Sequence, residues 1–249
     1  MLVDVHAHLD DDQFKEDLDQ VIERAEKAGL ISIITNGTNP QSNTAVLNLS
    51  KKYKIVHAAL GIYPITAHEM SEEEAQEQME FMKKNRKDIL ALGEVGLDLK
   101  FVNTLEKQQK IFEDIIELSK KLKKPLIVHS RKAESETLDI LESLSAKKVI
   151  MHCFTPNMKI VKRAENLGFF LSVPPVITRL QHFQELVKQT SLKKLLTETD
   201  CPYLSPYKEK RNEPAFVVET IRKIAEIKKI EVEETKKIIF SNYQKIFSD

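Results

Sequence analysis

The sequence predicts an α/β protein in which a single domain, residues 1–249, folds as a (β/α)8 TIM barrel. Three observations predict it. Short β-rich runs alternate with longer amphipathic stretches eight times, and a length of 249 residues suits such a barrel. No linker, low-complexity segment or repeat beyond the βα unit breaks the alternation. Residues able to bind metal fall, one after another, where a strand gives way to a loop. An open doubly wound sheet shares the alternation, but in a closed barrel those strand ends would converge at one mouth.

In chain order, the first strand is expected over Leu2–Val5, followed by a helix over Asp17–Ala28 that Gly29 ends in the usual C-cap role. The second strand is Ile31–Thr35, after which Asn39-Pro40 sets a cap before a proline at the first helical position. The third is Ile55–Leu60, and Ser71 with Glu74 then reads as the capping box of a helix over Glu72–Lys84. Strand four, Ile89–Val95, precedes a helix over Leu105–Leu122; strand five, Leu126–His129, precedes one over Ala133–Leu144. After strand six, Val149–His152, the pair Thr155-Pro156 is expected to open a helix, and Gly168 to end it before strand seven, Phe169–Val173. Strand eight is Leu195–Thr197. The loop Cys201–Asn212 leads into Pro214–Lys228, and a last amphipathic helix lies near Glu233–Ile246.

Composition narrows the function classes. Lys+Arg and Asp+Glu both number 38, so bulk attraction to polyanions is not expected and any nucleic-acid binding must come from local patches. Two cysteines, Cys153 and Cys201, are no disulfide framework and fit a reducing compartment. Residues Met1 to Asp10 lack the basic flank and apolar run of a signal peptide, and no apolar run approaches a membrane span. A cytoplasmic protein, with no membrane partner, is expected.

Six side chains carry the chemistry: His6, His8, Glu94, His129, His152 and Asp200. Asp4, His6 and His8 occupy every second position, so on a regular strand they would share a face, with Asp4 as a supporting partner. Glu94 follows an apolar run within Gly93-Glu94-Val95-Gly96-Leu97-Asp98 and needs a cation or donor to offset its desolvation. A neighbouring Arg or Lys is the ordinary alternative. His129 and His152 each end an apolar strand; one such histidine is commonly a hydrogen-bonded core residue, but two in successive units favour ligation. Asp200 adds a carboxylate in the same layer. Imidazole with carboxylate suits Zn²⁺, Mn²⁺, Fe²⁺, Co²⁺ or Ni²⁺, with Mg²⁺ less natural.

The chain resembles the TatD-type metal-dependent deoxyribonucleases, a branch of the amidohydrolase-like barrels, essentially from end to end. The resemblance rests on Leu2-Val3-Asp4-Val5-His6-Ala7-His8-Leu9-Asp10, on Gly93 to Asp98, on Pro125-Leu126-Ile127-Val128-His129-Ser130-Arg131, on His152-Cys153-Phe154, on Glu198-Thr199-Asp200-Cys201-Pro202 and on Arg211-Asn212-Glu213-Pro214. It implies that the six residues ligate one or two divalent ions with Glu94 bridging. It also implies cleavage of DNA phosphodiesters, often from the 3′ end. Two departures stand near the expected mouth: Tyr63 precedes Pro64 where the family usually has histidine, and Thr155-Pro156 replaces a usual Ser-Gly.

The expected reaction is hydrolysis of a DNA phosphodiester, of the 3′-5′ exonuclease type on single-stranded ends. Water would be activated by one or two divalent ions, with Asp200 and Glu94 as the catalytic carboxylates and Asp200 taking the proton. Tyr63 and Arg131 are the expected substrate contacts, although Arg131 serves equally as a structural lock. Glu198 and Asp98 are expected to be supporting or ion-pair partners. Lys100, Lys132, Arg179, Lys208, Lys210 and Arg211 lie on the same expected face as Arg131, and Tyr63, Phe154, Tyr203 and Tyr207 are candidates either for base stacking or for rim packing. Cys153 is expected to point away from the ligands. The alternative reaction is hydrolysis of a carboxylic ester or amide, for example an aminoacyl ester on RNA, at the same metal centre. A monomer without an obligatory protein partner is expected.

Overall fold

The computed structural model describes residues 1–100 and 105–248. The expected span of 1–249 thus includes residues 101–104 and 249, which lie outside the described residues. Eight strands form one sheet: β1 Leu2–Ala7, β2 Leu30–Asn36, β3 Val56–Leu60, β4 Ile89–Asp98, β5 Leu126–Arg131, β6 Val149–Met151, β7 Phe170–Val173 and β8 Leu195–Thr197. They are hydrogen-bonded in sequence order, and every pair is parallel. Parallel neighbours require crossovers, and here the crossovers contain helices. The helices are α1 Leu18–Lys27, α2 Pro40–Lys52, α3 Pro64–Glu69, α4 Glu72–Lys84, α5 Leu105–Leu122, α6 Glu134–Ser143, α7 Met158–Asn166, α8 Gln181–Gln189, α9 Val217–Lys228 and α10 Val232–Phe247.

The sheet curves back on itself. Thr197 Oγ1 donates to the Val3 carbonyl at 2.6 Å and the Asp200 N–H to the His6 carbonyl at 2.8 Å, bringing the end of β8 against β1. This is the predicted eight-stranded barrel, near-closed. Its interior is filled by Val5, Ile34, Ala59, Ala91, Ile127, Ile150 and Leu196, with Phe170 packed against them. Such a ring, one side chain per strand, is a core and leaves no pore. Ile246 of α10 joins this cluster, and Tyr243 of the same helix bonds Ser32 at 2.9 Å. A second, larger apolar cluster lies between the strands and the helices.

Local signals behaved as their chemistry predicts. Asn39 caps α2 through Ser42 N–H, and Ser71 with Glu74 forms the capping box of α4. The start of α7 differs. Thr155-Pro156 lies in the preceding loop, and Asn157 caps the helix by accepting from Lys159 and Ile160 N–H. An Asn side chain with two free backbone donors ahead of it outcompetes the earlier Thr-Pro.

Two strands break the regular alternation. The register of β1 against β2 slips between Asp4 and Ala7, and that of β4 against β5 slips between Leu92 and Val95. Irregularities of this kind re-aim side chains beside functional sites. Val5 therefore joins the interior ring, and the expectation that Asp4, His6 and His8 share a face by simple alternation is corrected. Asp4 turns to Thr199, accepting from its N–H at 2.9 Å and its hydroxyl at 2.5 Å, and it meets only the backbone N–H of His6, not its ring.

Candidate metal centre

The side chains His6, His8, Glu94, His129, His152 and Asp200 come together, with His6, Glu94 and His129 carried within β1, β4 and β5 and His8, His152 and Asp200 just past β1, β6 and β8. Three overlapping groups of potential ligand atoms lie there: His6, His8 and Asp200; Glu94, His129 and His152; and His6, His152 and Glu198. Glu94 stands between them. Its Oε2 lies 3.5 Å from His6 Nε2 and 3.4 Å from His8 Nε2, while its Oε1 lies 2.8 Å from His129 Nδ1 and 4.0 Å from His152 Nε2. Asp200 Oδ1 is 3.6 Å from His6 Nε2, 3.5 Å from His8 Nε2 and 3.9 Å from His152 Nε2.

Donor chemistry tests whether a cation fits. The Nε2 atoms of His6 and His8 face each other at 3.1 Å, and two imidazole lone pairs can do so only around a shared proton or a shared cation. Ligand arms of about 2.0–2.2 Å in a tetrahedron give edges of roughly 3.3–3.6 Å. The five separations that involve His6 Nε2 or His8 Nε2, to each other, to Glu94 Oε2 and to Asp200 Oδ1, fall between 3.1 and 3.6 Å. The residues fit a divalent ion at this corner. The second corner, around Glu94 Oε1, offers His129 Nδ1 and His152 Nε2.

Acceptors behind the rings fix their orientation. His8 Nδ1 meets the Asn36 carbonyl at 3.2 Å, His152 Nδ1 meets Glu198 Oε2 at 2.7 Å, and His129 Nε2 meets Asp98 Oδ2 at 3.2 Å. Such partners set the tautomer and raise ligand basicity. Glu198 also accepts from the Ser172 hydroxyl at 2.6 Å and the Cys153 N–H at 3.0 Å, so it is fully engaged as a support. Asp98 is the corresponding support of His129. Two glycines permit the close approach. A Cβ on Gly61 would lie 2.3 Å from the Glu94 carbonyl oxygen, and one on Gly96, at φ +137°, 2.0 Å from the His129 carbonyl oxygen.

Electrostatics couple the cluster. Burial alone would raise the Glu94 carboxyl, but His6 and His129 outweigh it and hold it well below the usual carboxylate range. Asp200 is likewise lowered, burial being overcome by His152, His8 and His6. Burial opposes the imidazolium of His8, yet Asp200 and Glu94 push its pKa up to about 9; Glu198 and Asp200 push His152 up to about 10 against the same burial. His6 is lowered by burial and by the neighbouring His152.

The cluster floors a cleft of about 670 Å³. Arg131 lines it and is, among the described residues, the one Lys or Arg that does. Tyr63 lines it too, but its hydroxyl donates to Asp98 Oδ2 at 3.1 Å, because a carboxylate is the strongest acceptor in reach. Two expected cleft cations serve elsewhere: Arg211 is bidentate to Asp17 at 2.7 and 2.8 Å, and Arg179 donates to the Ser205 carbonyl at 2.7 Å. Lys132, Lys208 and Lys210 do not line the cleft either. Cys153 packs against the apolar cluster between strands and helices and, among the described residues, joins none of the groups of potential ligand atoms, as expected, although it also borders the cleft. β6 ends at Met151, Cys153 takes φ +46°, and strand alternation no longer applies, so the residue lines the cleft. Sequence reasoning missed Asp10, Asp11, Glu134 and His182 on the cleft wall. Asp10 and Asp11 follow the His6-Ala7-His8 run after Leu9, which was their available signal.

A family model described as TatD related DNase matches residues 3–248. The chain is 36% identical over 245 residues to an uncharacterized metal-dependent hydrolase, MJ1582, of Methanocaldococcus jannaschii, covering 98% of this chain and 96% of that protein. It is 34% identical over 258 residues to the deoxyribonuclease TATDN3 of Homo sapiens, covering 99% and 94%. Among solved structures it is similar to YJJV, a TatD homolog from Escherichia coli, with TM-score 0.93 and 25% identity over 100% of this chain and 98% of that one. A TatD family hydrolase from Entamoeba histolytica shares the fold, with TM-score 0.89 at 23% identity over 99% and 98%.

Proposed function

The chain belongs to the TatD related DNase family of metal-dependent hydrolases, and from that membership we propose that it is a deoxyribonuclease cleaving DNA phosphodiesters from the 3′ end of single strands. The observation that carries the proposal is the shared Glu94 carboxylate, one oxygen facing His6 and His8 and the other facing His129 and His152. We assign His6, His8, Glu94 and Asp200 to one divalent ion, and Glu94, His129 and His152 to a second. Such ions lower the pKa of water and polarise the oxygen of the bond under attack.

The remaining roles belong to this chain's own side chains. Asp200, kept ionised by the imidazoles around it, orients the attacking water and takes its proton. Its backbone sits at φ +55° and its N–H is tied to the His6 carbonyl at 2.8 Å, so the carboxylate is aimed by the chain itself. Arg131, exposed at the end of β5 and lining the cleft, binds the phosphate being cleaved. Glu198 and Asp98 hold the His152 and His129 rings in register. A cleft with Arg131 as its one Lys or Arg among the described residues contacts few phosphates, which suits a strand end better than a duplex. The protein acts as a monomer in the cytoplasm; among the described residues no helix is long and apolar enough to cross a membrane.

One observation favours the alternative, hydrolysis of a carboxylic ester such as an aminoacyl ester on RNA: Asp10, Asp11 and Glu134 make the cleft wall acidic. The test is turnover of single-stranded oligonucleotides against ester substrates by protein loaded with Mg²⁺, Mn²⁺, Zn²⁺, Co²⁺ or Ni²⁺. Nucleotide release is expected. Ester turnover without phosphodiester turnover under any of these ions would replace the proposal with the alternative.

A further inference from the structure

Four aromatic side chains follow strands close to the barrel mouth, and the structure separates them. Phe154 is fully buried. Tyr207 packs edge-on against Phe216 at 5.1 Å and does not line the cleft. Tyr63 is held by Asp98, with its ring against His129 at 5.0 Å. Tyr203 differs from all three. It lines the cleft, and 52% of it is exposed.

The Tyr203 ring is also fixed in place. Its hydroxyl donates to Asp11 Oδ2 at 2.8 Å, crossing from the loop after β8 to the loop after β1. Its N–H is bonded to the Asp200 carbonyl at 2.9 Å, and its own carbonyl accepts from Asn212 Nδ2 at 2.6 Å. Asn212, fully buried, donates as well to the Thr199 carbonyl at 2.8 Å. The segment that carries Asp200 therefore also carries the ring. The His8 ring stands 6.4 Å away at 63°, which sets Tyr203 beside the ligand cluster.

We propose that Tyr203 is a nucleobase subsite: the base of the terminal nucleotide stacks on its ring while the adjoining phosphate lies over the ligand cluster. The inference rests on the deoxyribonuclease reading above and specifies how that site holds its substrate. Three physical points support it. Beyond the ions of the proposed centre, the cleft wall is acidic and, among the described residues, offers Arg131 as its one Lys or Arg, so a contact to the base adds binding free energy that phosphate contacts along the strand do not. Every base has a π-face, and stacking on an aromatic side chain is strong and tolerant of sequence. A ring already oriented by Asp11 loses little freedom when a base covers it.

The test uses metal-loaded full-length protein and single-stranded oligonucleotides ending at the 3′ side in either a normal or an abasic nucleotide, with bis(p-nitrophenyl) phosphate as a base-free phosphodiester. Wild type is expected to favour the base-bearing end by about 5- to 150-fold in kcat/KM, from the usual range of base–aromatic stacking. Tyr203→Phe keeps the ring and should keep most of that ratio despite losing the Asp11 bond, and Tyr203→Ala should bring it to about one. Because the ratio is read within each variant, partial unfolding cancels. A ratio unchanged in Tyr203→Ala, or lost equally in Tyr203→Phe, overturns the subsite while leaving the deoxyribonuclease reading intact. Failure of the wild type to cleave any of the phosphodiesters, bis(p-nitrophenyl) phosphate included, overturns both.

Discussion

Replacing Glu94 by Gln removes one negative charge without opening a cavity, and its consequence in metal-free protein follows from the distances. Four imidazole nitrogens lie between 2.8 and 4.0 Å from the Glu94 oxygens. Two of those rings, His8 and His152, are raised to pKa values of about 9 and 10 and are cationic near neutrality. A full charge pair at 4 Å is worth about 4 kcal/mol at an effective dielectric of about 20. Desolvation offsets part of that attraction, and removing one partner of a buried pair costs about 3–5 kcal/mol. At roughly 2–4 °C per kcal/mol for a chain of this size, the midpoint of unfolding should fall by about 6–20 °C.

The sign of the pH dependence is fixed by the same shifts. Glu94 is depressed, so its contribution is present above its unfolded value of 4.5 and lost as pH falls through its folded value. His8 is raised, so its contribution is full below 6.5 and lost as pH rises through about 9. The gap between wild type and Glu94→Gln should therefore be widest near pH 5–6 and partly narrowed at about pH 9.5, where His8 has lost most of its charge while His152, raised to about 10, still keeps much of its own. Thermal unfolding of chelator-treated protein at both pH values measures it. Equal midpoints at the lower pH, or a gap that does not narrow at the higher one, would refute the shared-charge account of the cluster.

Three further outcomes follow from the supporting residues and the glycines. Glu198→Gln should weaken metal binding by about 10- to 100-fold through loss of the carboxylate behind His152, read by equilibrium dialysis with elemental analysis; unchanged affinity would remove Glu198 from the support. Metal binding should release protons near pH 7, since cationic His8 and His152 must become neutral to ligate, and affinity should rise with pH towards about 9. Calorimetry in buffers of different ionisation enthalpy counts those protons, and a count of zero would contradict the assigned charges. Gly96→Ala should cost more than about 1 kcal/mol and weaken metal retention, because its Cβ would meet the His129 carbonyl oxygen at 2.0 Å from a φ of +137°; a fully stable, metal-retaining variant would show that β4 and β5 can part there without consequence.

Much of this architecture was legible because it is written locally. Leu105–Leu122 and Glu72–Lys84 were bounded correctly by periodicity and by a capping box. His129 and His152 stood out because each follows an apolar run, and Asp98 and Glu198 proved to be the partners behind them. What stayed hidden depends on contacts far apart in sequence. Arg211 looked available to substrate, but its partner Asp17 lies 194 residues away, and Tyr203 meets Asp11 across 192 residues. The slips in β1 and β4 were invisible because an irregular register leaves no mark on a hydrophobic pattern.

The most direct test is anomalous diffraction from crystals of the metal-loaded protein. The account predicts density about 2.0–2.2 Å from His6 Nε2, His8 Nε2, Glu94 Oε2 and Asp200 Oδ1, with any second peak between Glu94 Oε1, His129 Nδ1 and His152 Nε2. An anomalous peak held by other residues, or none after loading, would contradict it.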